Sequence, residues 1–311
     1  MITQILEPKD YSEKALEVYK SLGGVIKGEA IIPNADILVI RLAHKIDREW
    51  LDCYSNLKVI ASPTTGLNHI DLEECEKRGI KVISLKGDAE WLGKNITSTA
   101  EHTWALILSL IRKIPIANLM VTGFRNWNRD NFIGHQLKGK TLGIIGHGRV
   151  GRQVAQIAKA FQMRIQYKDK GIITGKQEEY PEVTMQQLLV TSDIVSIHVD
   201  LNDSTYNLIR DEQFRMMKPT AYLINTSRGE VIDEEDLLMA LKNEKIAGAA
   251  LDVLWDESAD GKHLENNPLV QYAVGKDNLI ITPHIAGASY EAMRLTEERI
   301  AEKVLAFVRG I

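Results

Sequence analysis

Thr141-Leu142-Gly143-Ile144-Ile145 runs without a charge straight into Gly146-His147-Gly148-Arg149-Val150-Gly151. A continuously apolar run of this length suits a strand covered on both faces, as a parallel sheet flanked by helices requires. The six residues after it match G-x-G-x-x-G, and the apolar period of residues 149–161 continues as an amphipathic helix. Strand, glycine turn and helix in this order form a dinucleotide-binding fingerprint. Gly146 permits the tight turn around His147, Gly148 lets the backbone approach a pyrophosphate, and Gly151 lets the helix pack closely on the strand. The helix start, with Arg149 and Val150 in its first turn, offers unpaired N–H groups and a positive dipole end to phosphates. A second strand at 164–167 leads to Asp169, eighteen residues after Gly151. An acid there accepts the ribose hydroxyls of NAD and repels the 2′-phosphate of NADP, so NAD is the expected cofactor. Lys168 and Lys170 flank it and soften that repulsion, which leaves NADP open.

The same pattern extends in both directions. Short β-rich runs at 36–41, 58–62 and 81–84 precede it, and others at 193–199, 221–225, 247–253 and 278–282 follow. Their alternation with amphipathic stretches is that of the α/β class. One series ends near residue 95 and the other begins near 140. Between them, 96–119 reads as one long helix, opened by Thr97 or Ser98 with Glu101 at capping-box spacing. Another helical run, 290–308, follows Gly287. The expectation is two doubly wound parallel-sheet domains, 1–97 together with 288–311, and 98–287 inserted between them.

At 311 residues the chain is long enough for two domains of about 100–200 residues. A net charge of −4 provides no global basic field, so neither nucleic acid nor an anionic membrane is an expected partner. Cys53 and Cys75 are too few for a disulfide framework and read as free thiols of a reducing compartment. No signal pattern opens the chain, and the apolar stretch 105–111 is far short of the ~18 residues of a membrane span. A cytoplasmic location follows as the expectation. The histidines and cysteines show no ligand spacing, so no metal site is expected.

Three charged residues fall just beyond successive strand ends in otherwise apolar surroundings. Arg228 follows Asn225-Thr226-Ser227, Glu257 follows Leu251-Asp252-Val253-Leu254-Trp255-Asp256, and His284 follows Thr282-Pro283. In open α/β sheets the ligand crevice lies outside the carboxyl ends of the strands. A guanidinium holds a carboxylate and its neighbouring ketone through paired, directed hydrogen bonds. A histidine protonates the oxyanion that forms when a hydride reaches a ketone carbon, and a glutamate fixes the ring's tautomer. Together they point to hydride transfer between nicotinamide and a small anionic 2-hydroxy or 2-keto acid. Singly, each has a plain alternative as a surface charge, a loop acid or a core histidine. His198 is open in the same way, lining the cofactor site or satisfied at its strand end. Trp127 reads as packing at a domain or subunit contact.

These residues, together with Thr65-Gly66-Leu67-Asn68-His69-Ile70-Asp71, the stretch from Asn95 to Glu101 and Ser196-Ile197-His198, carry a family likeness. Over nearly its whole length the chain resembles the D-isomer-specific 2-hydroxyacid dehydrogenase family, most of all its phosphoglycerate dehydrogenase branch. The resemblance implies a flavodoxin-like substrate domain split around an inserted Rossmann NAD-binding domain, and a homodimer formed through the latter. It puts the family's catalytic arginine, glutamate and histidine at Arg228, Glu257 and His284, and its ribose-binding acid at Asp169. The aspartate that contacts the nicotinamide amide falls on Asp252, with Thr226 among the cofactor-side residues. The substrate-carboxylate loop falls on Thr64, Thr65, Gly66 and Leu67, with backbone N–H groups as donors. An arginine that reads substrate anions in phosphoglycerate dehydrogenases corresponds to Arg41, so 3-phosphoglycerate joins glyoxylate and hydroxypyruvate as an expected substrate. The chain departs from the family at Ser258, where proline is usual, at Asp200, and at Leu42 and His44, where small polar residues are usual. Segment 256–271 is also longer and more polar than the resemblance implies. Glu257 stands where formate-oxidising relatives have glutamine, which argues against formate. An NAD(H)-sensing, corepressor-like binding protein is the alternative on the same fold.

Overall fold

The computed structural model describes residues 1–170, 179–258 and 260–310. Ala259, within the polar segment 256–271, and Ile311, the last residue expected of the first domain, lie outside the described residues. Two compact units emerge, one of Met1–Ile96 with Ala288–Ile311, the other of Thr97–Gly287.

The first unit begins with β1 (Ile2–Ile5), α1 (Glu13–Leu22), β2 (Gly24–Lys27) and β3 (Ile37–Val39). It continues through α2 (Arg48–Asp52), β4 (Val59–Ser62), α3 (Leu72–Lys77), β5 (Lys81–Ser84) and α4 (Ala89–Asn95). The second unit holds α5 (Ser98–Ile111), α6 (Ile114–Phe124), β6 (Thr141–Ile145), α7 (Arg149–Ala160), β7 (Arg164–Lys168) and α8 (Met185–Thr191). β8 (Ile194–Ile197), α9 (Asp211–Met216), β9 (Tyr222–Asn225), α10 (Glu234–Lys242), β10 (Gly248–Leu251), α11 (Pro268–Ala273) and β11 (Leu279–Ile281) complete it. The chain then returns to the first unit as α12 (Tyr290–Arg309).

Both sheets are parallel. The first has the order β2-β1-β3-β4-β5, the flavodoxin arrangement. The second runs β11-β10-β9-β8-β6-β7, so the chain leaves β6 to one side for β7 and resumes on the other at β8. That reversal is the switch point at which such sheets open a crevice beyond their carboxyl ends. α12 belongs to the first unit because its apolar stripe, Ala292, Ile300, Ala301 and Val304, is buried with Leu16, Tyr19, Val59 and Ile83. In the second unit, strands β6, β8 and β9 are buried along almost their whole length, with helices on both faces.

Three local expectations are corrected. The strands β1 and β2 are absent from the sequence reading. β1 hides two polar residues, Thr3 and Gln4. The Gln4 amide earns its place there by donating to the carbonyls of Gly28 (3.1 Å) and Ala30 (2.8 Å) and accepting from the Ile32 N–H (3.2 Å). β2 is a mostly exposed edge strand with little apolar signal. The single helix expected over 96–119 is two, bent by 62° where Lys113 turns left-handed at φ 54°. Pro115 sits in the first turn of α6, where its missing N–H costs nothing, whereas an unbroken helix would have placed it in the interior. Nor does a capping box form at the start of α5: Thr97 donates its hydroxyl to Glu101 (2.5 Å) instead of capping the backbone.

Among the described residues no single helix is long and apolar enough to cross a membrane.

Candidate active site

The glycine turn is built as its spacing requires. Gly146 is left-handed (φ 93°), and a Cβ there would stand 2.5 Å from the carbonyl oxygen of His198. A Cβ on Gly151 would stand 2.2 Å from the carbonyl oxygen of Gly146, so only glycine lets α7 approach β6 this closely. Gly148 has open space where its side chain would be, leaving its backbone approachable. No acceptor among the described residues takes the N–H of Gly148, Arg149 or Val150 at the start of α7. Arg149 Nη1 is buried there with no partner among the described residues, and burial holds the guanidinium below its ordinary range. Asp169 closes the turn from β7, accepting the His147 N–H (2.8 Å) and the Lys170 N–H (2.7 Å). The His147 ring points inward and stacks on Tyr167 with centroids 4.2 Å apart, so this side chain serves packing. Amides and a guanidinium nitrogen without acceptors among the described residues, and an acid at the second strand, fit the phosphates and ribose of NAD.

His198, at the end of β8, pairs its Nε2 with Ser196 Oγ at 2.8 Å, and burial pushes its pKa down to about 3. It is therefore a neutral imidazole at physiological pH. Thr226 is buried, its hydroxyl 2.9 Å from that of Thr103 on α5.

The three charged residues lie beyond β9, β10 and β11, which are neighbours in one sheet. Asn225, the last residue of β9, ties the Arg228 turn with its side chain. It donates to the Arg228 carbonyl (2.8 Å) and accepts from the N–H (2.9 Å) and hydroxyl (2.7 Å) of Ser227. Gly229 then lets this turn touch the segment after β10, since a Cβ there would lie 2.1 Å from the Leu254 backbone. Glu257 accepts the Leu254 N–H (2.9 Å) through Oε1 and makes a short hydrogen bond through Oε2 with His284 Nδ1. An ionised carboxylate only accepts, so Nδ1 carries the hydrogen and Nε2 is left to exchange a proton.

His284 has a left-handed backbone (φ 51°), a conformation that costs a non-glycine residue about 1–3 kcal/mol and survives only where its surroundings impose it. Asp252 imposes it. Its carbonyl accepts the His284 N–H (2.8 Å). Its carboxylate accepts from the Ile285 N–H (3.0 Å), the Ala286 N–H (2.7 Å) and the Thr282 hydroxyl (2.6 Å). His102 Nε2 lies 3.3 Å from the same carboxylate. Burial alone would raise the Asp252 carboxyl, but the bonds from His102, Thr282, Ala286 and Ile285 outweigh it and hold the group below the usual carboxylate range.

Two groups of expected substrate residues lie in the first unit. Beyond β4, Thr64 donates its hydroxyl to the Gly66 carbonyl (2.9 Å) and accepts from Ser62 (2.8 Å). No acceptor among the described residues takes the N–H of Thr65, Gly66 or Leu67, so the turn presents a row of free donors. Arg41 is placed otherwise than a free anion reader would be. Its guanidinium pairs with Glu297 of α12, donates to the Lys9 carbonyl (3.3 Å) and lies 5.5 Å over the Tyr11 ring. The Glu297 side chain is 1% exposed, and burial raises its carboxyl despite the Ser12 N–H and Arg41.

A sequence profile of the D-isomer-specific 2-hydroxyacid dehydrogenase NAD-binding domain matches residues 104–286. The chain belongs to that family. This dehydrogenase is 40% identical over 285 residues to a glyoxylate reductase of Thermofilum pendens, covering 90% of the present chain and 80% of the relative. It is 36% identical to the D-3-phosphoglycerate dehydrogenase of Bacillus subtilis over 92% of its own length, but spans only 52% of that protein. Among solved structures, D-lactate dehydrogenase of Aquifex aeolicus, complexed with NAD and lactic acid, superposes with a TM-score of 0.84 at 29% identity. That match covers 100% of the present chain and 96% of the other. The protein is an NAD-dependent oxidoreductase acting on 2-hydroxy acids. Sequence reading missed the dehydrogenase's His102, Thr282 and Glu297. His102 and Thr282 stand 180 positions apart, so no local spacing signals their pairing.

Proposed function

We propose that this dehydrogenase interconverts a small, unphosphorylated 2-keto acid, such as glyoxylate or hydroxypyruvate, with its D-2-hydroxy acid. The observation that carries the reading is the hydrogen bond from His284 Nδ1 to Glu257, with Arg228 beyond the adjoining strand of the same sheet. Bound NAD supplies or takes the hydride. Arg228 holds the substrate carboxylate and carbonyl oxygen. His284 Nε2 gives a proton to the nascent alkoxide in reduction and removes it in oxidation. Glu257 keeps that nitrogen turned outward and stabilises the protonated ring. In the first unit, the amides of Thr65, Gly66 and Leu67 are proposed to bind a carboxylate.

Arg41 is assigned to the frame of the first unit. A guanidinium neutralised by a buried carboxylate offers little to a second substrate anion, and breaking such a buried pair is costly. NADH oxidation tests this, measured over glyoxylate, hydroxypyruvate, pyruvate, 2-ketobutyrate and phosphohydroxypyruvate. The expected result is turnover of the unphosphorylated acids with kcat/KM above that for phosphohydroxypyruvate. A preference for phosphohydroxypyruvate overturns the substrate reading, and turnover unaffected by His284→Ala overturns the mechanism.

The proposed assembly is a homodimer. None of the residues of the apolar helix α6 is buried, and Phe124, Trp127 and Ile133 are 68%, 86% and 71% exposed. Large apolar side chains exposed this close together along the chain support a contact surface here. Sedimentation of the parent and of Phe124→Glu tests this, with a dimer expected for the first and a monomer for the second. The proposed location is the cytoplasm, in keeping with two free cysteines.

A further inference from the structure

We infer that His102, on helix α5, is a positioning residue for the reaction: its Nε2–H braces the Thr282–Asp252 pair that holds the His284 loop in its left-handed turn. The inference rests on the proposed role of His284 as proton donor.

Hydrogen counting sets the direction of the brace. The Thr282 hydroxyl has one hydrogen, and it lies 2.6 Å from an ionised carboxylate oxygen of Asp252, which can only accept. Thr282 Oγ1 therefore meets His102 Nε2, 3.1 Å away, with a lone pair. His102 must supply the hydrogen, and the same N–H leans toward Asp252 Oδ1 at 3.3 Å. The required tautomer is the one protonated at Nε2.

The origin of each member of this network shows what His102 adds. Asp252 follows β10, and Thr282, Ile285 and Ala286 all follow β11, so those groups belong to the two loops being held. His102 alone among these partners comes from a helix. α5 is a rigid support, burying Ala100, Thr103, Trp104, Ile107 and Leu110 in the core of this unit. A strained residue persists only where its surroundings over-determine it, and a bond from a packed helix supplies an external fixed point. The His102 side chain is 19% exposed, so it is covered enough for its orientation to be held.

The test compares His102→Leu, His102→Gln and Thr282→Val with the parent as intact proteins. Glutamine places an N–H donor where Nε2 stands, whereas leucine fills the space without one. In His102→Leu, kcat for glyoxylate reduction should fall about ten- to a hundredfold, the loss typical of misplaced catalytic geometry. Dissociation constants for NADH should be little changed, and His102→Gln should recover most of the rate. The double variant His102→Leu/Thr282→Val should lose no more than the worse single variant, because both remove one brace. Amide hydrogen exchange supplies a readout independent of turnover: exchange at Ile285 and Ala286 should quicken in His102→Leu and return toward the parent in His102→Gln. Unchanged kcat in His102→Leu, no recovery in His102→Gln, multiplicative losses in the double variant, or unchanged exchange would each overturn the inference. His284→Ala, run in parallel, isolates the premise: if it keeps parental turnover, the proton-donor reading fails, whatever the exchange data show about the brace.

Discussion

Replacing Asp252 with asparagine tests how the loop that carries His284 is held. The carboxylate is wholly buried and accepts from Thr282, Ile285 and His102 at one oxygen and from Ala286 at the other. The least costly asparagine rotamer keeps its carbonyl at the crowded oxygen and turns its amide toward the Ala286 N–H, so that donor faces donor. One charge-assisted hydrogen bond is lost, worth about 1.5–3 kcal/mol, and a buried N–H is left unpaired at about 1–3 kcal/mol more. A total of about 2.5–6 kcal/mol lowers the Tm of a domain of this size by on the order of 10 °C. The assay is thermal unfolding of the cofactor-free protein, followed by circular dichroism at several pH values. A carboxyl held below its ordinary value stabilises the fold above the unfolded pKa of about 3.9, and that contribution disappears as pH falls through the lower, folded value. The gap between parent and variant should therefore be constant from neutral pH down to about 5 and narrow below about 4. A gap under about 1 kcal/mol at pH 7, below the loss of even one charge-assisted bond, or one that does not narrow in acid, would refute the reasoning.

Three other outcomes are expected. Asp169→Ala should weaken NADH binding and narrow the preference for NADH over NADPH, since the carboxylate closes the glycine turn from the second strand; tighter NADPH binding by the parent would overturn this, by fluorescence titration. Gly151→Ala puts a methyl 2.2 Å from the Gly146 carbonyl oxygen, so α7 must move off β6 at a cost of about 1–3 kcal/mol, read as a lowered Tm together with weaker NADH binding. With Ellman's reagent at pH 8 the native protein should expose Cys53 alone, because Cys75 is buried with its thiol pushed up to about 11, and both should react after denaturation; rapid reaction of both in the native state would contradict the packing.

The chemistry of the candidate site was legible because it depends on local order along the chain. The glycine fingerprint needs only a strand, a turn and a helix in sequence, and residues 141–151 supply all three. Arg228, Glu257 and His284 were likewise singled out by their place after successive strands, since parallel strands deliver their carboxyl ends to one side. Where local composition and tertiary role diverge, that logic fails. Gln4 sits in a central strand because carbonyls more than twenty positions away satisfy its amide, and no local period records them.

What the sequence by itself determined is therefore the α/β class, the NAD fingerprint and the class of chemistry, all products of short-range pattern. Only the tertiary structure decided what those groups lean on. A family pattern marks Arg41 as a reader of anions, yet α12 returns from the far end of the chain with Glu297 and neutralises it. Likewise, His102 reads as one more polar residue near a helix start until the fold sets it against Thr282. The physical reason is common to both: a charge or a polar hydrogen acts according to the partner that lies within about 3 Å, and partners 180 or 256 residues distant are chosen by packing.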